Sequence, residues 1–186
     1  MDKLTINNIL KINELTNEFE YERATSLYLR LRKQEIADSS YSQIRGQLKK
    51  LLIEYEQKHW SDESKISESK VKESDLAEIL VQAENEFNCN RKELIKSRLR
   101  ESGLNQNDLA KILGHRKGYM SELINGFRPF SKEDIVIINR LLKIKLEDLV
   151  STFIKQDKAA RIKNVLKSIE RSKIRLTKED FDLQLA

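Results

Sequence analysis

Apolar residues recur at helical spacing along most of this chain, and the places where the recurrence fails divide it into segments. Tyr21, Ala24, Leu27, Tyr28 and Leu31 fall at i, i+3, i+6, i+7 and i+10, which is one stripe of an amphipathic helix over residues 21–33. Ile44, Leu48, Leu51, Leu52 and Tyr55 repeat the pattern over residues 41–59, and Asp38-Ser39-Ser40 marks the break between the two. The pair predicts a helical hairpin whose apolar faces meet each other or a second copy. Residues 61–74 lose the pattern and are rich in Ser, Lys and Glu, so they are expected to form a polar linker. Ser74 then stands as a cap before a connecting helix over residues 75–89, whose Leu76, Ile79, Leu80, Ala83 and Phe87 are expected to pack on the segment beginning at residue 90.

That segment is the most ordered part of the sequence. Leu94, Ile95, Arg98 and Leu99 occupy related faces of a first helix, and Asn105 is a good N-cap for a second. Leu109, Ala110, Leu113, Met120 and Leu123 fall where two short helices crossing steeply share a core, and small Ala110 lets their backbones approach. Gly114 separates them at a position where a positive φ costs glycine little, and Asn125-Gly126 stops the second by the same means. This is the layout of a helix-turn-helix with its second helix free to enter a DNA major groove. Ser131 caps a fourth helix carrying Ile135, Ile138, Leu141 and Leu142, and Leu146, Leu149 and Val150 suit a fifth. Beyond it, Ile162, Val165, Leu166 and Ile169 form a stripe beside Arg161, Lys163 and Lys167: a further core helix, a dimer clasp or a partner-binding element. Thr177-Lys178-Glu179-Asp180 before Phe181 matches a capping box with Asp in place of Glu.

Taken together, Gly103-Leu104-Asn105-Gln106, Asp108-Leu109-Ala110, Leu113-Gly114, Ser121, Asn125-Gly126 and Arg128 resemble the phage-repressor (XRE) class of DNA-binding domains. The resemblance implies a five-helix lambda-repressor-like domain over residues 90–154, about a third of the chain. Upstream, Thr16-Asn17-Glu18-Phe19-Glu20-Tyr21-Glu22-Arg23-Ala24 and Glu54-Tyr55-Glu56-Gln57-Lys58-His59-Trp60 resemble the amino-terminal half of HigA-type antitoxins. That family neutralises a HigB-type messenger-RNA endonuclease toxin and represses its own operon. By this second resemblance, residues 1–60 supply dimer and toxin contacts. Residues 155–186 are an extension that a minimal antitoxin lacks.

Matched position by position to the XRE pattern, Arg116, Lys117, Gly118, Ser121 and Glu122 fall on the exposed reading side of the second helix, with Tyr119 beside them. Arg116 or Lys117 is then the donor to guanine O6 and N7, and Glu122 either accepts from cytosine N4 or repels phosphates to enforce register. Gly118 replaces the larger polar residue usual there and permits close approach to the groove. Gln106 is expected to bond a phosphate through its side chain or backbone N–H at the positive end of a helix dipole, and Arg128 to hold the DNA backbone from the other flank. One such domain offers few contacts, so a homodimer on double-stranded DNA bearing an inverted-repeat operator is expected, with half-sites about 34 Å apart.

Composition sharpens this picture at three points. Five glycines and one proline in 186 residues leave little material for a turn-rich β protein, and 35% charged residues suit exposed helix faces, so the fold class is all-α. The net charge of +5 is unevenly placed: residues 1–89 carry 13 basic and 17 acidic side chains, residues 90–154 carry 13 and 8, and residues 155–186 carry 9 and 5. The positive charge therefore lies with the DNA reader and the tail, as phosphate binding requires. Finally, the catalytic vocabulary is thin. His59 and His115 are far apart, Cys89 is the single cysteine, and neither a zinc-ligand cluster nor a phosphate-cradling glycine loop is present, so no enzyme, metal or cofactor is expected. A single cysteine, no signal-like amino terminus and no apolar run of membrane-spanning length point to a cytoplasmic protein without membrane partners.

Overall fold

The computed structural model describes residues 4–34, 41–62, 64, 66–151, 156–169 and 173–174. The fold is all-α: among these residues a short 3-10 turn, Ile9–Lys11, precedes α1 (Glu18–Gln34), α2 (Ser42–His59), α3 (Glu68–Glu101), α4 (Gln106–Ile112), α5 (Lys117–Ile124), α6 (Lys132–Leu142), α7 (Leu146–Leu149) and α8 (Gln156–Ser168). None of the described helices is long and apolar enough to cross a membrane.

Two apolar cores organise the chain. The first joins the expected stripes of α1 and α2, with Ala24, Leu27, Leu31, Leu48, Leu51 and Tyr55 all buried. Leu4, Ile6, Ile9 and Leu15 complete it from a segment with no helical period of its own. Glu18 is sealed in this core at 2% exposure, where it accepts hydrogen bonds from Tyr55 Oη at 2.9 Å and Trp60 Nε1 at 3.1 Å. Tyr21 stacks on Tyr55 at 5.0 Å and donates to Glu56 at 2.7 Å, so two segments more than thirty residues apart in sequence interlock.

The second core gathers Ile95, Leu99, Leu109, Ala110, Met120, Leu123, Ile124, Phe130, Ile138, Leu142, Ile144 and Leu149. Its short helices are tied off by backbone bonds that repeat a single motif. His115 N–H donates to Ala110 O at 2.8 Å and Gly114 N–H to Lys111 O at 3.2 Å, closing α4 with Gly114 at φ +70°. Phe127 N–H to Glu122 O at 2.9 Å and Gly126 N–H to Leu123 O at 3.0 Å close α5 in the same way. At the other ends, Asn105 with Asp108 and Ser131 with Asp134 form reciprocal capping boxes on α4 and α6.

α3 departs from expectation. Its cap is Ser67, whose side chain accepts from the Lys70 N–H, and the helix runs unbroken for 34 residues, about 50 Å, through the expected linker, the connecting helix and the first helix of the DNA reader. Residues 68–74 are polar apart from Val71, but they contain good helix formers and neither Gly nor Pro, with Lys72 and Glu68 paired at 2.6 Å across one turn. Ser74 is therefore an interior residue of the helix. The buried positions also shift: Ala77, Val81 and Ala83 are the buried ones, while Ile79 is 43% exposed. The cause is the partner. α3 packs on α1, where small side chains allow close approach and where Arg23–Glu84 at 3.0 Å and Ser26–Asn85 at 3.0 Å fix the contact.

Within residues 90–154, three residues assigned to apolar stripes are exposed: Leu141 at 40%, Leu146 at 51% and Val150 at 44%. α8 coincides with the basic tail stripe, Ile162 and Leu166 being half-buried and Val165 exposed. The Asp38-Ser39-Ser40 break, Phe153 and the Thr177–Phe181 capping box lie outside the described residues.

Candidate nucleic-acid interface

α5 turns Met120, Leu123 and Ile124 into the core at 0–1% exposure, which leaves its leading end outward. Arg116, Lys117, Gly118 and Tyr119 are contiguous and exposed. Arg116 occupies the N-cap in an extended conformation without a side-chain cap bond, so the first N–H groups of α5 keep their donor capacity. Neither the Arg116 nor the Lys117 side chain makes an ion pair or hydrogen bond among the described residues. Both are therefore available as donors to base edges or phosphate.

The other expected reading residues are engaged within the protein. Glu122 pairs with Arg128 and accepts from Tyr41 Oη at 3.4 Å. The Arg128 guanidinium lies 5.2 Å from the Tyr119 ring, and His115 meets the same ring edge-on at 5.0 Å. His115 also bonds buried Asp134 at 2.9 Å, linking the turn to α6. Ser121 accepts from the Asn125 side chain at its carbonyl, 2.9 Å, and at Oγ, 3.3 Å. Gln106, half-buried, opens α4 directly after its capped N-terminus. The geometry thus sorts the eight expected residues. Arg116, Lys117 and Gly118 form a free leading edge, Tyr119, Glu122 and Arg128 a braced flank, Ser121 a helix-end anchor, and Gln106 the start of the supporting helix.

Residues outside this set hold the reading helix from behind. The Arg30 guanidinium of α1 donates to the Asn125 carbonyl and lies 5.0 Å from the Phe127 ring, and Lys92 Nζ donates to Asn125 Oδ1 at 2.9 Å. Phe127 itself belongs to the amino-terminal core, not to the core of α4–α7. Gly126, at φ +67°, sits so close that a Cβ there would meet the Asn88 side chain at 3.0 Å. An apolar residue directly after an Asn-Gly stop is a sequence signal for such docking, whereas nothing local distinguishes Arg30 from other surface arginines. Burial, reinforced by Arg23, lowers the pKa of Arg30; burial and then Arg30 push Arg91 down to about 10.

Among the described residues no group of three His, Cys, Asp or Glu converges, and His115 is engaged by Asp134 and Tyr119. Cys89 is exposed and unpaired on α3.

Residues 95–149 fit the family model described as helix-turn-helix, a span that runs from the last turns of α3 through α7. This stretch is a DNA-binding helix-turn-helix domain of the XRE type, the kind that serves transcription regulation. No curated protein and no solved structure matches the chain.

Proposed function

We propose that the chain is an antitoxin that binds its own operator as a dimer through α5 and neutralises a HigB-type messenger-RNA endonuclease through its amino-terminal half. The observation that carries the DNA part is the uncapped, exposed Arg116-Lys117-Gly118 edge on a helix anchored in the core by Met120, Leu123 and Ile124. In this reading Arg116 or Lys117 contacts bases, Gln106 takes a phosphate near the start of α4, and the Glu122–Arg128 pair fixes Tyr119 and the flank of the reader. Support for the toxin part comes from the acidic balance of residues 1–89, which suits a basic ribonuclease, and from the interlock of the two HigA-like segments through Glu18, Tyr55 and Trp60. Residues 1–60 would form the interaction region and residues 90–154 the reader. Ile137 and Leu141, one turn apart on α6 and about 40% exposed, offer apolar surface for the dimer.

The test is co-expression with the product of the neighbouring reading frame, which this reading expects to be a small basic ribonuclease-like protein. Growth rescue and co-purification of the two proteins are expected. Absence of both, with promoter binding intact, would leave a free-standing XRE-type regulator, whose DNA half is the same.

A further inference from the structure

A cleft of about 190 Å³ opens where the amino-terminal half meets the DNA reader, and its walls include Arg23, Glu84, Asn88, Arg91, Gly126 and Arg128. Buried charges in proteins are normally matched by an opposite charge, because removing an ion from water costs several kcal/mol. Two of the three guanidiniums here obey that rule, Arg23 pairing with Glu84 and Arg128 with Glu122. Arg91 does not. It is 8% exposed, its Nη atoms reach only the neutral Asn88 Oδ1 at 2.7 Å and Leu149 carbonyl at 3.4 Å, and its Nε is buried without a partner. The rings of Phe87 and Phe130, each 5.3 Å from its guanidinium carbon, pack against it but carry no counter-charge.

We propose that this cleft is a binding site for a small free oxyanion, a phosphate or short carboxylate, with Arg91 as its principal ligand. A guanidinium presents planar N–H pairs to such a group, and charge-assisted bonds of that kind are about twice as strong as neutral ones. The volume lies below the roughly 300 Å³ at which drug-sized pockets begin, so the occupant has few heavy atoms. An occupant would touch α3 through Arg91 and the turn after α5 through Gly126 and Arg128, joining the two cores at the rear of the reading helix. Such a site is independent of the antitoxin reading and holds with or without a toxin.

The test is thermal unfolding of the full chain with inorganic phosphate or succinate against chloride at matched ionic strength, without DNA. A saturable rise in Tm specific to the oxyanion is expected, roughly 5–10 °C at about one hundred times Kd. Arg91→Met should abolish it. Because that variant removes a core side chain and can fail to fold, Glu84→Gln serves as the second arm: removing the cleft's carboxylate should tighten phosphate binding about 3- to 10-fold. Equal effects of chloride, a rise that survives Arg91→Met, or weaker binding by Glu84→Gln would overturn the proposal. Displacement of phosphate by a random-sequence duplex would assign the site to the DNA backbone and overturn the free-ligand reading.

Discussion

At the scale of residues, the reader combines side chains left free with side chains tied down. Arg116 is exposed and contributes nothing to the core, so Arg116→Ala should preserve the helical circular-dichroism spectrum while lowering operator affinity about 5- to 100-fold, the value of one bidentate base contact. Unchanged affinity in a gel-shift titration would remove Arg116 from the base-reading role and leave Lys117. Much of the reader's frame is legible in the sequence. Asn105, Gly114, Gly126 and Ser131 declare their roles through chemistry that acts within a few residues, namely side-chain oxygens for orphan N–H groups and freedom at positive φ. The Glu122–Arg128 pair and its stacking on Tyr119 are not legible, since an exposed Glu six residues before an Arg predicts nothing until the turn at Gly126 folds one back on the other.

At the scale of elements, α3 shows what periodicity alone misses. A polar run without an apolar stripe reads as a linker, but loss of the stripe does not end a helix when no Gly or Pro breaks it and an i,i+4 charge pair, Glu68 with Lys72, supports it. Ser67→Ala should therefore cost about 0.5–1 kcal/mol through loss of the cap, whereas Ser74→Ala, inside the helix, should be neutral or slightly stabilising. Urea unfolding of both variants checks this, and the reverse order would restore Ser74 as the helix start. The turn after α5 carries the second element-scale prediction. Gly126→Ala combines a strained φ with a Cβ 3.0 Å from Asn88, so it should destabilise by more than about 1 kcal/mol and loosen Phe127 from the amino-terminal core. A Tm equal to the parent's would show that this turn does not hold the two cores together.

At the scale of the whole molecule, one long helix gives Ile95 and Leu99 to the core of the DNA reader and packs on α1 over its earlier turns, and Phe127 and Arg30 cross between the two halves, so the amino-terminal half is built onto the back of the DNA reader. The amino-terminal core carries its own pH signature. Burial first, and then the bonds to Glu56 and Glu18, raise the pKa values of Tyr21 and Tyr55 above the ordinary value near 10. Above that pH the unfolded chain releases protons that the folded chain retains. The stability these residues contribute is therefore complete below about pH 10 and falls as pH rises further. An alkaline titration monitored by phenolate absorbance should show two of the five tyrosines ionising late and together with unfolding. Five tyrosines titrating alike near the ordinary value, with helicity intact, would contradict the packing around Glu18. Whether α5 presents a basic leading edge to duplex DNA is decided by equilibrium binding of the full chain to its own upstream region and to a scrambled duplex, across a salt series. A linear fall of log affinity with log salt, and binding to the native duplex at least about a thousandfold tighter, are predicted; affinity that is flat against salt or equal for the two duplexes would contradict it.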